Sequence, residues 1–235
     1  MSQNQSAVIP LESNPQIFTQ FAQYLGLDPT YTYHDVYSLD DPDLLSFIPR
    51  PVHSVILLFP ITKKYEELKK SEDLKITSND NIVWFRQTVK NACGLFALLN
   101  SLSNLDSSLY VLSSPIHEFI AHSKDPVKVE ELIMKLKSDI YTHLAQDANM
   151  NSTSAPDESE DVNLHFLSFI KKDGHIYEMD GRRPGVWKLG EVGNTDSEDL
   201  LSEKLLFDRI KQFIDLTEGD DKLKFSVMAL APSFD

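Results

Sequence analysis

Asn-Leu-His-Phe-Leu-Ser-Phe-Ile-Lys-Lys-Asp-Gly-His-Ile-Tyr-Glu-Met-Asp, residues 163–180, reads as two strands joined by Asp173-Gly174, a dipeptide suited to the positive φ angles of a two-residue hairpin turn. With that turn Lys172 faces His175, and continuing the pairing sets Leu167 opposite Asp180. Strand side chains alternate between faces, so His165 shares the face of Leu167 and becomes a diagonal neighbour of Asp180, with Cα atoms roughly 7–8 Å apart. Side chains can close that gap, and a carboxylate so placed holds an imidazole in one tautomer. His175 starts the second strand on the opposite parity from Asp180 and reads as structural or exposed.

Working outward, residues 53–59, His-Ser-Val-Ile-Leu-Leu-Phe, form an apolar run between prolines, as expected of a central strand buried on both faces. Asn14-Pro15 opens a helix, with Asn as N-cap and Pro in its first turn, and Gly26 closes it after Ile17, Phe18, Phe21 and Leu25. The remaining pattern predicts a strand over Tyr33–Tyr37, a short helix over Asp41–Phe47 and a solvated helix over 62–70. Further helices are expected over 113–123, 126–146 and about Asp196–Leu216, with a closing strand over Leu223–Leu230. Residues 147–161 are polar and aperiodic, and read as a mobile surface loop within one domain rather than as a linker. Strands interspersed with clustered helices predict an α/β or α+β fold, a sheet covered by helices on both sides.

The only cysteine, Cys93, stands at the head of Asn91-Ala92-Cys93-Gly94-Leu95-Phe96, which opens a helix over 91–103. A lone thiol is ordinarily a small buried hydrophobe. Here Asn91 reads as the N-cap, which puts Cys93 in the first turn, where the helix dipole favours thiolate over thiol. Gly94 removes bulk beside the sulfur and so leaves room for a substrate backbone. Gln87, six residues earlier, can join the Cys93 backbone N–H in donating to a tetrahedral oxyanion. With His165 as base and Asp180 as its orienter, the parts of a thiol hydrolase are present.

Other chemistries find less support. The chain has no G-x-S-x-G elbow, no P-loop and no dinucleotide fingerprint, and one cysteine excludes Cys-rich zinc sites. His117 and His122 are five apart and would point to different sides of a helix, while His34, His53 and His143 lack an acidic partner at a telling spacing. Cofactor-free thiol chemistry remains. The net charge of −14 disfavours nucleic acid and anionic membranes and is compatible with a basic protein partner. No signal peptide is visible, and no apolar run approaches the roughly 20 residues of a membrane span. A reducing cytoplasmic setting follows as the expectation, and a nuclear pool is compatible with it.

Taken together, Leu11-Glu12-Ser13-Asn14-Pro15, Leu57-Leu58-Phe59-Pro60, Gln87-Thr88 with Asn91-Ala92-Cys93-Gly94, His165-Phe166, and Gly174-His175 through Asp180-Gly181-Arg182 resemble the ubiquitin carboxyl-terminal hydrolases. These are thiol peptidases with a papain-like core, and the motifs run in order over nearly the whole chain. The resemblance implies a single domain over 1–235 of the short type, a mostly antiparallel central sheet flanked by helices, and a knotted backbone. It implies Cys93 as nucleophile, His165 as general base then acid, Asp180 as orienter and Gln87 as oxyanion donor. It further implies no metal or cofactor, a monomer, ubiquitin as partner, and 147–161 as a crossover loop that the leaving group must pass. Gly185-Val186-Trp187 and the loop's length stand outside the motif and bear on the leaving group alone. Two other readings stay open at this level: a thiol peptidase for another ubiquitin-like modifier, and a non-catalytic ubiquitin-binding module.

Overall fold

The computed structural model describes residues 6–77, 81–146, 163–192 and 199–234. Helix α1 (Pro15–Leu25) begins where Asn14 accepts from the Gln16 N–H and ends at Gly26, whose φ of 114° lies in the left-handed region open to glycine. It is followed by β1 (Tyr31–Asp35), α2 (Pro42–Ser46), β2 (Ser54–Pro60), α3 (Lys63–Asp73) and α4 (Cys93–Leu102). Then come α5 (Pro115–Ala121), α6 (Pro126–Leu136), α7 (Thr142–Gln146), β3 (Leu164–Lys172), β4 (His175–Met179), β5 (Trp187–Glu191), α8 (Lys204–Asp215) and β6 (Ser226–Pro232).

The six strands form one sheet in the order β1-β6-β2-β3-β4-β5, with every neighbouring pair antiparallel. Central β2 alternates between two cores. Ile56 joins Phe166 of β3 and Met228 and Leu230 of β6 beneath α1, α4, α5 and α6. Val55, Leu57 and Phe59 join Leu167, Phe169, Val227 and Ala229 beneath α3 and α8. Both faces are therefore covered, which is why the run carries almost no polar side chain.

The hairpin has the expected register: Lys172 pairs with His175 and Ser168 with Met179. Asp173 and Gly174 take φ of 50° and 70°, the positive pair that a type I′ turn needs.

Several expected boundaries and faces need correcting. Strand β1 starts two residues earlier than predicted, at Tyr31, because it follows its pairing with β6 rather than the local aromatic pattern. The single helix over 126–146 is interrupted by a π-turn at Lys137–Tyr141, whose extra residue lets the Tyr141 hydroxyl reach the Ile9 carbonyl at 2.8 Å. The closing strand begins at Ser226, after a 3-10 turn over Gly219–Lys224. Helix α3 is not simply solvated: Tyr65, Lys69 and Glu72, spaced 4 and 3 apart, form a buried face. Strand β5 was not anticipated; it pairs with the outer edge of β4 through an irregular register at Ile176/Tyr177. The loop expected at 147–161 lies outside the described residues, as does the head of the helix predicted from Asp196; within the described part that helix begins only at Lys204, because Leu200–Ser202 form a separate 3-10 turn and Glu203 is extended.

Candidate active site

The ends of three elements converge at one edge of this architecture. Strand β3 enters the sheet at Leu164 and carries His165 second; β4 ends at Met179, so Asp180 follows as the chain leaves the sheet. Both side chains take the face of the α3/α8 core, where His165 Nε2 lies 2.7 Å from Asp180 Oδ1. Helix α4 belongs to the opposite core, and its first residue, Cys93, is hydrogen-bonded to His165. Asp180 occupies Nε2, which leaves Nδ1 to face the sulfur. His165 and Asp180 are buried, whereas Cys93 keeps partial exposure and can be reached.

The helix start differs from expectation. Asn91 is not the N-cap; it adopts φ of 62°, a left-handed conformation that asparagine tolerates better than most residues. Ala92 is the cap residue, and no side chain caps the turn among the described residues. The first turn thus keeps its N–H groups free of a capping side chain, and the Gly94 N–H bonds the thiol itself. Gly94 also serves another purpose than foreseen. A Cβ there would stand 3.3 Å from Phe166 Cδ2 and 3.4 Å from Leu11 Cβ, so the glycine lets α4 press onto the core.

The charges reinforce one another. Burial alone would lower the His165 imidazolium, but the charge and hydrogen bond of Asp180, with the bond from Cys93, raise it to about 9. Burial pushes the Cys93 thiol up; the bond and charge of His165, with backbone bonds from Phe166 and Gly94, more than offset this and bring it below its ordinary value. Burial likewise opposes ionisation of Asp180, yet His165, the Arg182 amide and Tyr65 hold it well below the usual carboxylate range. Each group thus shifts the other toward the thiolate–imidazolium form.

Gln87 is fixed by its backbone, whose N–H donates to the Gly181 carbonyl at 2.9 Å, and by Nε2, which donates to the Val89 carbonyl at 3.3 Å. That second bond is long, and Nε2 keeps another proton for a different acceptor. The segment leading to Gln87 is tied to the thiol's own helix and the turn after it: Asn100 Oδ1 accepts from the Phe85 N–H at 2.7 Å, and Asn104, just past the helix, exchanges bonds with both backbone groups of Val83. Trp84 Nε1 donates to the Asp180 carbonyl at 3.3 Å. The spacing of Asn100 seven residues after Cys93, two helical turns on the same face, was the available sequence signal for this tie.

His175 lies apart from this array, with Nδ1 2.7 Å from the Asp173 carbonyl oxygen. No group of three or more His, Cys, Asp or Glu side chains suited to a metal occurs among the described residues.

Sequence reading also missed a buried charge cluster beside the site. Glu178, on the core side of β4, accepts from Arg183 Nε at 3.0 Å and from Arg209 Nε at 2.7 Å. Both guanidinium groups also reach Glu72 of α3, each through Nη2 at 2.7 Å, and Arg183 reaches Asp73 at 2.8 Å. The signal was a Glu on the core parity of a buried strand, which demands cations from elsewhere in the chain.

Comparison with known proteins gives a consistent picture. The family model described as ubiquitin carboxyl-terminal hydrolase, family 1, matches residues 8–215. Ubiquitin carboxyl-terminal hydrolase YUH1 of Saccharomyces cerevisiae is 36% identical over 241 residues, covering 100% of both chains. A probable ubiquitin carboxyl-terminal hydrolase of Dictyostelium discoideum is 33% identical, covering 94% of this chain and 87% of its own. In three dimensions the chain is similar to the Trichinella spiralis UCH37 catalytic domain, crystallised bound to ubiquitin vinyl methyl ester. The TM-score is 0.67 at 23% identity, over 96% of this chain and 95% of that one, a likeness of fold.

Proposed function

Because the chain belongs to ubiquitin carboxyl-terminal hydrolase family 1, we propose that it is a thiol-dependent deubiquitinase that cleaves the bond after ubiquitin's C-terminal glycine. The observation that carries this reading is the Cys93–His165–Asp180 array. In it the Cys93 thiolate adds to the glycyl carbonyl carbon, and the electron pair moves onto oxygen. The Cys93 backbone N–H and the Gln87 amide donate to that oxyanion. As the tetrahedral species collapses, the His165 imidazolium gives its proton to the leaving amine and the C–N bond breaks. Neutral His165 then takes a proton from water, whose oxygen attacks the thioester; the Cys93 thiolate departs and ubiquitin is released as its carboxylate.

In this reading the acidic surface suits a basic partner, and a net charge of −14 speaks against nucleic acid or anionic lipid. The enzyme acts as a monomer in the reducing cytoplasm, where its one thiol stays reduced. Small adducts and short or disordered extensions are its leaving groups.

A ubiquitin carrying a C-terminal electrophile tests partner and nucleophile together. The expected result is one covalent adduct, mapped to Cys93 by peptide mass spectrometry. A chain that binds the probe without reacting is a binding module instead. Faster reaction with a related modifier than with ubiquitin would reassign the substrate.

The Gln87 role has its own test. A Cβ on Gly181 would sit 3.0 Å from Gln87 Cβ and 3.1 Å from Gln87 N, so one of the two backbones must shift. With 1 Å of misplacement costing about 10²-fold, a shift of a few tenths of an ångström costs roughly three- to tenfold in rate. Gly181→Ala should therefore lower kcat on a ubiquitin C-terminal amide by that factor with KM little changed. Parent-like kcat would argue against Gln87 as an oxyanion donor.

A further inference from the structure

Asp180 is fully buried and accepts from three donors. Oδ1 takes His165 Nε2 at 2.7 Å and the Arg182 backbone N–H at 2.8 Å; Oδ2 takes the Tyr65 hydroxyl at 2.8 Å. Tyr65 projects from the first turn of α3, where Thr62 caps the helix by accepting from the Tyr65 N–H. Its ring is clamped edge-on against Phe59 at 4.7 Å and Phe213 at 5.4 Å, and Phe59 and Phe213 stack at 5.0 Å. Phe59 also meets the His165 ring edge-on at 5.8 Å. One aromatic cluster thus supports the imidazole through Phe59 and the carboxylate through Tyr65.

We propose that Tyr65 is a positioning residue: its hydroxyl fixes the rotation of the Asp180 carboxylate and holds it as an anion, and through Asp180 it sets the His165 proton that Cys93 depends on. Packing alone does not account for a tyrosine here. Phenylalanine would fill the same cage without bringing a hydroxyl into the core, a group that is costly to bury unless bonded. Burial and the neighbouring charges of Asp180 and Glu178 keep the Tyr65 phenol protonated, so it is a permanent donor.

The charged groups around this bond come from every element packed on it. They are His165 on β3, Glu178 on β4, Arg182 and Arg183 in the following turn, Glu66 and Glu72 on α3, Arg209 on α8, and Cys93 beyond His165. Arg182 pairs with Glu66, and Glu178 with Arg183 and Arg209, so these ions are already committed. Tyr65 is the donor on the otherwise uncommitted oxygen of Asp180.

The inference rests on the thiol–imidazole–carboxylate reading of the site, and a readout that needs no ubiquitin tests it separately. Cys93 is the only cysteine, so iodoacetamide alkylation reports on that thiol alone. In the full-length protein, Tyr65→Phe leaves Asp180 less well held. The imidazolium is then less stabilised and the thiolate forms only at higher pH. The expected result is an acid limb of alkylation displaced upward, with the rate at pH 6 reduced about three- to tenfold, the scale of one lost hydrogen bond to a charged group acting at second hand. In ubiquitin-amide hydrolysis kcat should fall with KM unchanged. Phe213→Leu loosens the same cage without removing the donor; it should lower Tm and leave the limb in place. Superimposable profiles for Tyr65→Phe and the parent would overturn the proposal. So would an equal displacement in Phe213→Leu. Failure of the underlying site reading looks different: the parent itself would alkylate with an ordinary thiol profile and ignore the ubiquitin probe.

Discussion

Replacing Cys93 with alanine is expected to abolish hydrolysis of a ubiquitin C-terminal amide while leaving affinity for ubiquitin within a few-fold of the parent. Removing a nucleophile costs on the order of a millionfold in a serine protease, where the oxyanion donors and binding contacts survive the substitution and supply only the residual rate. Here the substitution is well suited to the same separation. Cys93 opens α4, and the residues that anchor this helix in the core, Leu95, Phe96, Leu98 and Leu99, are untouched. Alanine is also a good helix former, so the turn survives. Steady-state hydrolysis and titration of binding on the same preparation check the two halves. Turnover above about one per cent of the parent would exclude Cys93 as nucleophile, because no other thiol exists to take its place.

How much of the site could be read from sequence followed from how local its determinants are. The His165–Asp180 pairing depends on one turn and on strand parity, both written into consecutive residues; the observed pairing of Ser168 with Met179 is the predicted register. The unbroken apolar run between prolines similarly exposed the two-faced strand β2, and the Asn14 and Gly26 caps bounded α1. Ambiguous residues misled. Asparagine both caps helices and tolerates positive φ, and only the path of the chain into α4 decides that Asn91 does the second. Glycine likewise admits either a substrate or a neighbour, and Gly94 faces Phe166 and Leu11.

What stayed hidden was set by tertiary contacts. Tyr65 lies 115 positions from Asp180, and Glu72 lies 137 from Arg209, so no periodicity joins them. A Lys/Glu-rich segment such as α3 reads as solvated unless the cations that meet its buried face are known. The convergence of His165 and Asp180 was therefore legible, and the residues that hold them in place were not.

The second large effect falls on stability rather than chemistry, and it issues from that hidden layer. Glu178 is wholly buried and holds Arg183 and Arg209 at once; these also share Glu72, while Asp73 takes Arg183 and Lys69. Three cations face three carboxylates, so the cluster is balanced only as a unit. Glu178→Ala leaves two buried guanidinium groups with one acceptor fewer each and a void between them. Breaking a buried pair from one side typically costs about 3–5 kcal/mol, more than the pair itself contributes, because the remaining charge stays desolvated. For a domain of this size that corresponds to a fall in Tm of roughly 10 °C. Glu178→Gln keeps the shape and an acceptor oxygen and should lose less. Lys204→Ala, which removes an exposed pair with Asp208, should leave Tm unchanged. The loss should also reach the site, since Arg183 donates its backbone N–H to the Asp180 carbonyl at 3.1 Å and anchors the turn that carries this carboxylate. Calorimetry on the three variants, with alkylation of Cys93 measured well below each Tm, separates the contributions. A Glu178→Ala protein that melts with the parent would mean that water or local rearrangement satisfies both arginines, and that the turn bearing Asp180 is held by its other bonds, from Tyr65, Trp84 and Arg182 and through the Gln87–Gly181 pair.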